Sequence, residues 1–98
     1  MLAMHQRNTI SVQSMPSLPH HVHLRFDPVR QAWALLSPER IYWPNDASLD
    51  ILRRCDGKTT VGAIIEALAL EYDAEEEELA ADVIAFLQEW TDNLLVTP

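Results

Sequence analysis

The sequence of 98 residues has few cysteines and glycines, the residues that build disulfide scaffolds, thiolate metal sites and phosphate loops. Its one cysteine, Cys55, excludes an internal disulfide and a metal site made of several thiolates. Two glycines cannot form a glycine-rich phosphate loop. No apolar run approaches the roughly 18 residues that span a bilayer, and the first ten residues lack the apolar stretch of a signal peptide. We therefore expect a cytoplasmic protein with no membrane partner.

Basic residues are missing from the last 40 positions of the chain. All seven Lys and Arg side chains lie in the first 58 positions, whereas ten of the 15 acidic residues lie in the last 40. The net charge is −8. Because nucleic-acid binding depends on Lys and Arg to neutralise phosphates, we expect no nucleic-acid partner.

The residues before position 45 predict a sheet. From His21 to Phe26 the side chains alternate with the period of two of a half-buried strand, with Val22, Leu24 and Phe26 on the buried face. Two further strands are expected after proline-containing turns, over Ala32 to Leu36 and Arg40 to Trp43.

Three helices are predicted to follow from helical apolar spacing and polar first residues. The expected N-terminal caps are Asn45 or Asp46, Thr59 or Thr60, and Asp73 paired with Glu76 in a capping box. The expected core is Val22, Leu24, Leu35, Ile51, Leu52, Ile64, Ile65, Leu68, Val83, Phe86, Leu87 and Trp90. Removing the Phe86 ring from such a core should cost roughly 3 to 5 kcal/mol. The fold class is α+β, winged helix-turn-helix-like, with a three-stranded antiparallel sheet followed by three helices.

The first 19 positions differ from the rest in being polar and irregular, ending in a proline-rich stretch. They predict an N-terminal arm over residues 1–19, flexible or packed on a partner and outside the core, ahead of a domain over residues 20–98. An arm packed on a second subunit would make the chain a homodimer.

The histidines and the cysteine could bind a metal or act as a nucleophile, but structural roles are favoured for both. His20, His21 and His23 are imidazole donors, yet a strand places only two of them on one face and no nearby acid or thiol completes a metal site. Cys55 falls on the apolar stripe at the end of a predicted helix, where packing is favoured over a nucleophilic role. We expect no metal and no catalytic residues.

Ser48 raises a different alternative. The stretch from Asp46 to Leu49 resembles the Asp-Ser-Leu attachment site of acyl carrier proteins, but an alanine separates the aspartate from the serine. The predicted strands upstream also replace the helix that a carrier would need. An acyl-carrier-like protein is therefore a disfavoured alternative.

The remaining candidate is a surface for a protein partner. Tyr42 and Trp43 belong to the shortest strand, which is expected at a sheet edge, and Ala80 and Ile84 form a second apolar strip on the third helix. An edge strand beside an apolar helix would bind an extended peptide by strand addition. From these residues alone, the alternative that both surfaces merely cover the core is equally good.

Five segments in order resemble the PqqD family, pyrroloquinoline quinone biosynthesis protein D. The resemblance covers about Pro19 to Val96. The segments that carry it are Leu24 to Arg30, Leu35 to Glu39, Ile51 to Gly57, Thr60 to Ile65 and Asp82 to Leu87.

The resemblance implies a peptide chaperone and not an enzyme. Proteins of this family bind the precursor peptide PqqA and present it to the radical-SAM enzyme PqqE; pyrroloquinoline quinone is the pathway's product and not a bound cofactor. The alternative is a recognition element for a different ribosomally made, modified peptide. The peptide-binding residues that the resemblance and the groove imply are Arg40, Ile41, Tyr42, Trp43, Ala80, Ile84 and Leu87. A proline at Tyr42 is predicted to weaken binding at least tenfold, about 1.4 kcal/mol.

Overall fold

A computed structural model describes residues 8–98 as a small sheet followed by three helices. The elements are β1 His23–Asp27, β2 Ala32–Leu36, β3 Ile41–Tyr42, α1 Asp46–Arg53, α2 Val61–Tyr72 and α3 Glu76–Asp92. The strands pair antiparallel in the order β1-β2-β3, which leaves one edge of β1 and one edge of β3 outside the sheet ladder. The predicted α+β architecture is confirmed. Within residues 8–98, no helix is long and apolar enough to cross a membrane.

The first two helices begin at the predicted caps, and the third does not. Asn45 accepts a hydrogen bond from the Ser48 N–H at 2.8 Å, and Thr60 accepts one from the Ala63 N–H at 3.1 Å. The predicted capping box at Asp73 is wrong, because this residue ends α2 in the left-handed conformation, at φ 51°. An aspartate tolerates that conformation better than most residues.

The core matches the predicted set except at its margin. Nine of the 12 residues are buried, while Leu24, Phe86 and Trp90 are only partly buried against the cluster. Phe26, predicted on the buried face of β1, is exposed and packs edge-on against the Trp33 ring at 5.5 Å.

Part of the predicted arm belongs to the core. Ile10 is buried in the main hydrophobic cluster. The carbonyls of Ser14 and Val12 accept hydrogen bonds from the Val61 and Gly62 N–H groups, at 2.8 and 2.9 Å. These carbonyls satisfy two of the amides that the first turn of a helix leaves unpaired. The prediction that the arm lies outside the core is therefore wrong at Ile10.

The arm also holds the C-terminus. Ser17 and Thr97 exchange two backbone hydrogen bonds of 2.8 Å, and the Pro16 carbonyl accepts one from the Gly57 N–H at 2.9 Å. Gly57 has φ 77°, and a Cβ there would lie 3.3 Å from the Ser17 Cβ. Residues 1–7 of the predicted arm lie outside the described residues, and the division at residue 19 stays a prediction.

Candidate functional site

β3 offers a free backbone edge of only a few residues. On its inner side, Tyr42 pairs with Leu35 and Ile41 with Leu36 of β2. No fourth strand of the described sheet lies on the other side of β3. This strand is therefore positioned to accept an added strand.

The hairpin register decides which β3 groups are free. The turn before β3 closes with a 2.9 Å hydrogen bond from the Ser37 N–H to the Arg40 carbonyl. Antiparallel pairs alternate between hydrogen-bonded and non-hydrogen-bonded, so Tyr42 bonds inward to β2 while the N–H and C=O of Ile41 point to the free edge. A proline at Tyr42 would break the pairing with β2. The free edge is therefore tested by a proline at Ile41 instead.

Aromatic side chains join β3 to α3. The Tyr42 ring lies 5.6 Å from the Trp90 ring, which lies 5.2 Å from the Phe86 ring. All three residues are partly buried and pack against the core. We call Tyr42, Phe86 and Trp90 the aromatic floor, and the cleft over it, beside the free edge of β3, the β3–α3 groove.

The ends of the β3–α3 groove differ in polarity. Beyond Phe86, between α1, α2 and α3, lies a mainly apolar cavity of about 380 Å³, lined by residues that include Ala47, Leu79 and Phe86, with Asp82 among them. Near the β2–β3 turn lies a more polar cavity of about 650 Å³, bordered by His21, Glu39, Arg40, Tyr42 and Asn93 among others. The aromatic floor therefore borders both cavities, the apolar one at Phe86 and the polar one at Tyr42.

Arg40 is the cation of the polar end. Its guanidinium lies 5.9 Å from the centre of the Tyr42 ring, within the range of a cation–π contact. It makes no ion pair with any residue in the range 8–98. The side chain is exposed and available to a carboxylate of a bound peptide.

Ala80 and Ile84 lie on another side of α3 from the aromatic floor. Ile84 and Trp90 are six residues apart, which places them about 120° apart around the helix. The nearby Gln88 side chain bonds instead to the arm, accepting from the Ile10 N–H at 2.9 Å and donating to the Asn8 carbonyl at 2.8 Å. The structure therefore does not bring the predicted strip beside β3; Phe86 and Trp90 occupy that place.

Leu87, the remaining predicted contact, is a core residue. Its exposed fraction is 0%. It can influence a bound peptide only by holding α3 in place through its packing in the core. Exposed side chains at Arg40, Ile41 and Trp43, and the partly exposed Tyr42, can contact a peptide directly. Sequence reasoning missed Phe86 and Trp90 as groove residues because it assigned both entirely to the core.

The histidines and Ser48 occupy ordinary structural positions. His20 and His21 contact edge to face at 5.4 Å, and His23 is exposed on β1. In the described range, no three His, Cys, Asp or Glu side chains are grouped to hold a metal ion. Ser48 lies in the first turn of α1, where its N–H is bonded to Asn45.

Cys55 is packed and poorly ionised. The residue is buried just beyond the end of α1, and its Sγ donates to the Ile51 carbonyl at 3.3 Å. Burial, and then the charge of Asp56, raise the pKa of the thiol to about 12. Since the thiolate is the reactive form, Cys55 is expected to be inert near neutral pH.

We expect a disulfide reagent such as DTNB to label Cys55 only as fast as the protein opens. Labelling should be slow in buffer and rapid in denaturant, with the rate measured by the absorbance of the released thiolate. Fast labelling of the folded protein at neutral pH would contradict the packed, un-ionised thiol.

The chain resembles characterised proteins over most of its length. Residues 32–96 match the family model for coenzyme PQQ synthesis protein D, PqqD. A curated relative from Rhodopseudomonas palustris strain HaA2, named PqqA binding protein, is 49% identical over 89 residues, which cover 91% of this chain and 87% of the relative.

Two solved structures share the fold. The NMR structure of the PqqD truncation of Methylobacterium extorquens PqqCD, described as a functional and stand-alone RiPP recognition element, matches with a TM-score of 0.77 and 33% identity, covering 92% of this chain and 96% of that one. The crystal structure of PqqD from Xanthomonas campestris matches with a TM-score of 0.57 and 36% identity, covering 92% and 100%.

Proposed function

The chain belongs to the PqqD family, and from that premise we propose that it binds the precursor peptide PqqA and presents it to the radical-SAM enzyme PqqE. In this role it is a chaperone without catalysis or bound cofactor of its own, and pyrroloquinoline quinone is the product of the pathway. The proposed compartment is the cytoplasm, as expected from the sequence. The observation that carries the proposal is the free edge of β3 beside the aromatic floor of α3.

Strand addition explains how so short an edge can hold a peptide. The peptide backbone would bond to the outward N–H and C=O of Ile41 and continue along Trp43, forming a fourth strand. Because successive side chains of a strand point to opposite faces, every second peptide side chain would meet Tyr42, Phe86 and Trp90. A two-residue strand supplies few backbone bonds, so these side-chain contacts must supply much of the affinity.

The unequal ends of the groove give the peptide a direction. An apolar peptide side chain fits the cavity beside Ala47 and Phe86, and a carboxylate fits near Arg40. Reversing the peptide would place the apolar side chain against charged groups and the carboxylate beside Asp82. Such a mismatch leaves polar groups and charges without partners, which costs binding free energy.

Titrating ¹⁵N-labelled protein with PqqA tests the proposal. We expect saturable shifts of the Ile41 and Trp43 amides and of the Trp90 indole N–H, with smaller changes on the distant side of α2. A PqqA peptide of scrambled sequence is the matched control, because it keeps composition and charge. Absence of saturable shifts, or equal shifts with the scrambled peptide, would refute specific PqqA binding in this groove.

A further inference from the structure

The sheet has a second apolar surface, on the side opposite the aromatic floor. Arg25, Ala34, Leu36, Ile41 and Trp43 alternate along the strands with residues that face the helices, and together they line a concavity of about 300 Å³. We call these five residues the outer sheet face.

The outer sheet face has large exposed apolar side chains at its rim and a buried residue at the bottom of its concavity. Ile41 is 59% exposed and Trp43 is 45% exposed, whereas Ala34 between the strands is only 4% exposed. Val29, in the loop from β1 to β2, is also strongly exposed. A contiguous exposed apolar patch with a concave centre is typical of a surface that binds another protein.

The charge around this face is positive. Arg25 and Arg30 line the concavity, and the Arg30 guanidinium lies 5.0 Å from the centre of the Trp43 ring. The acid that lines it, Asp27, is already engaged: its carboxylate accepts from the Val29 N–H at 2.9 Å and lies 3.6 Å from the Arg30 guanidinium. Two arginines and one aspartate give these side chains a net charge of +1, in contrast to the acidic α3.

A peptide in the β3–α3 groove would leave the outer sheet face open. Tyr42 faces the groove, whereas its neighbours Ile41 and Trp43 face outward. A strand added to β3 would place its other set of alternate side chains beside Ile41 and Trp43. The outer sheet face and the bound peptide would then form one continuous surface.

We propose that the outer sheet face docks the enzyme that modifies the bound peptide, through an enzyme surface in which an apolar side chain is flanked by carboxylates. The apolar side chain enters the concavity over Ala34, and the carboxylates meet Arg25 and Arg30. This proposal rests on the proposed function, since it assumes a precursor peptide in the groove. It explains how the enzyme recognises the loaded chaperone: part of the surface it contacts is the peptide.

Charge reversal at Arg30 tests the docking surface against a matched control. Arg53 also stacks on an aromatic ring, with its guanidinium 4.8 Å from the centre of the Trp33 ring, but it lies on α1, away from the outer sheet face. Arg30→Glu and Arg53→Glu change the net charge equally and each removes one cation–π contact. Arg30→Glu also removes the exposed ion pair with Asp27, so a difference between the two variants is assigned to the location of the charge only if Arg25→Glu shows it as well.

The two variants are titrated with PqqA alone and then, loaded with PqqA, with PqqE, by calorimetry. We expect Arg30→Glu to weaken PqqE binding by about tenfold or more, because it places a carboxylate against the acidic enzyme surface. Its PqqA affinity should stay within about twofold of the parent, and Arg53→Glu should stay within about twofold in both titrations. Arg25→Glu should repeat the Arg30→Glu result, and circular dichroism checks that each variant is folded.

Each other outcome has a definite meaning. A parent protein that does not bind PqqA refutes the proposed function. A parent that binds PqqA while its loaded form does not bind PqqE overturns both the docking surface and the presentation step of the proposed function. A loaded parent whose PqqE binding stays equally strong after both Arg30→Glu and Arg25→Glu overturns the docking surface alone. Self-association of the parent that Arg30→Glu abolishes would assign the face to a second copy of the chain and would also overturn it.

Discussion

Replacing Ile41 with proline is expected to weaken PqqA binding at least tenfold, about 1.4 kcal/mol. The register directs the Ile41 N–H to the free edge of β3, so proline removes a donor that the added strand needs without removing a bond to β2. The affinity is measured by calorimetry or by the amide shifts of the labelled protein.

Ile41→Val is the matched control, because it keeps the backbone donor and most of the apolar side chain. Its affinity should stay close to that of the parent, as should that of Tyr42→Phe, which keeps the aromatic floor. Circular dichroism must show that Ile41→Pro is folded. If a folded Ile41→Pro variant binds PqqA as tightly as the parent, the peptide does not pair with this edge.

Leu87→Ala is expected to lower the free energy of unfolding by about 2 to 5 kcal/mol, because it leaves a cavity under α3 at a fully buried position. Urea denaturation followed by circular dichroism measures the loss. Leu70→Ala is the control: Leu70 lies on α2 and is 86% exposed, so the same change of side chain should alter stability by no more than about 0.5 kcal/mol. A loss below about 1 kcal/mol for Leu87→Ala would contradict its place in the core.

Phe86→Ala should destabilise the protein less than the sequence predicts. Its ring is only partly buried and contacts Trp90 at the surface of the core, so less apolar area is lost than in a full core truncation. The ring also borders the β3–α3 groove, so the same substitution should weaken PqqA binding. For the same loss of stability, Phe86→Ala should therefore weaken PqqA binding more than Leu87→Ala does.

The sequence predicts the elements of this fold well where local signals act alone. The helical spacing from Ile64 to Leu68 is a local property and describes the buried positions correctly. The alternation around Leu24 is right at Val22 but wrong at Phe26, which is exposed. The cap at Asp73 was placed wrongly because aspartate favours a helix start and also tolerates the left-handed end of a helix. Sequence preference alone cannot choose between these two roles.

The groove was predicted only in part because it depends on how α3 is rotated against the sheet. The apolar positions of α3 cover a wide arc, and spacing alone does not show which side meets β3. The Tyr42–Trp90 contact fixes that rotation and turns Ile84 away from β3. The arm was missed for a related reason, since Ile10 lies in a segment with no regular apolar spacing and its partners lie far along the chain.

The pairing of Ser17 with Thr97 bears on the order in which the protein is completed during synthesis. These residues lie near opposite ends of the chain, so their two hydrogen bonds can form only after Thr97 has been made and has left the ribosome. The strands and α2 have all emerged by then, but the arm must wait for its C-terminal partner. Until α3 and Thr97 are both available, the arm lacks the Gln88 and Thr97 partners that hold it, so closure of the arm is expected to be a late step of folding.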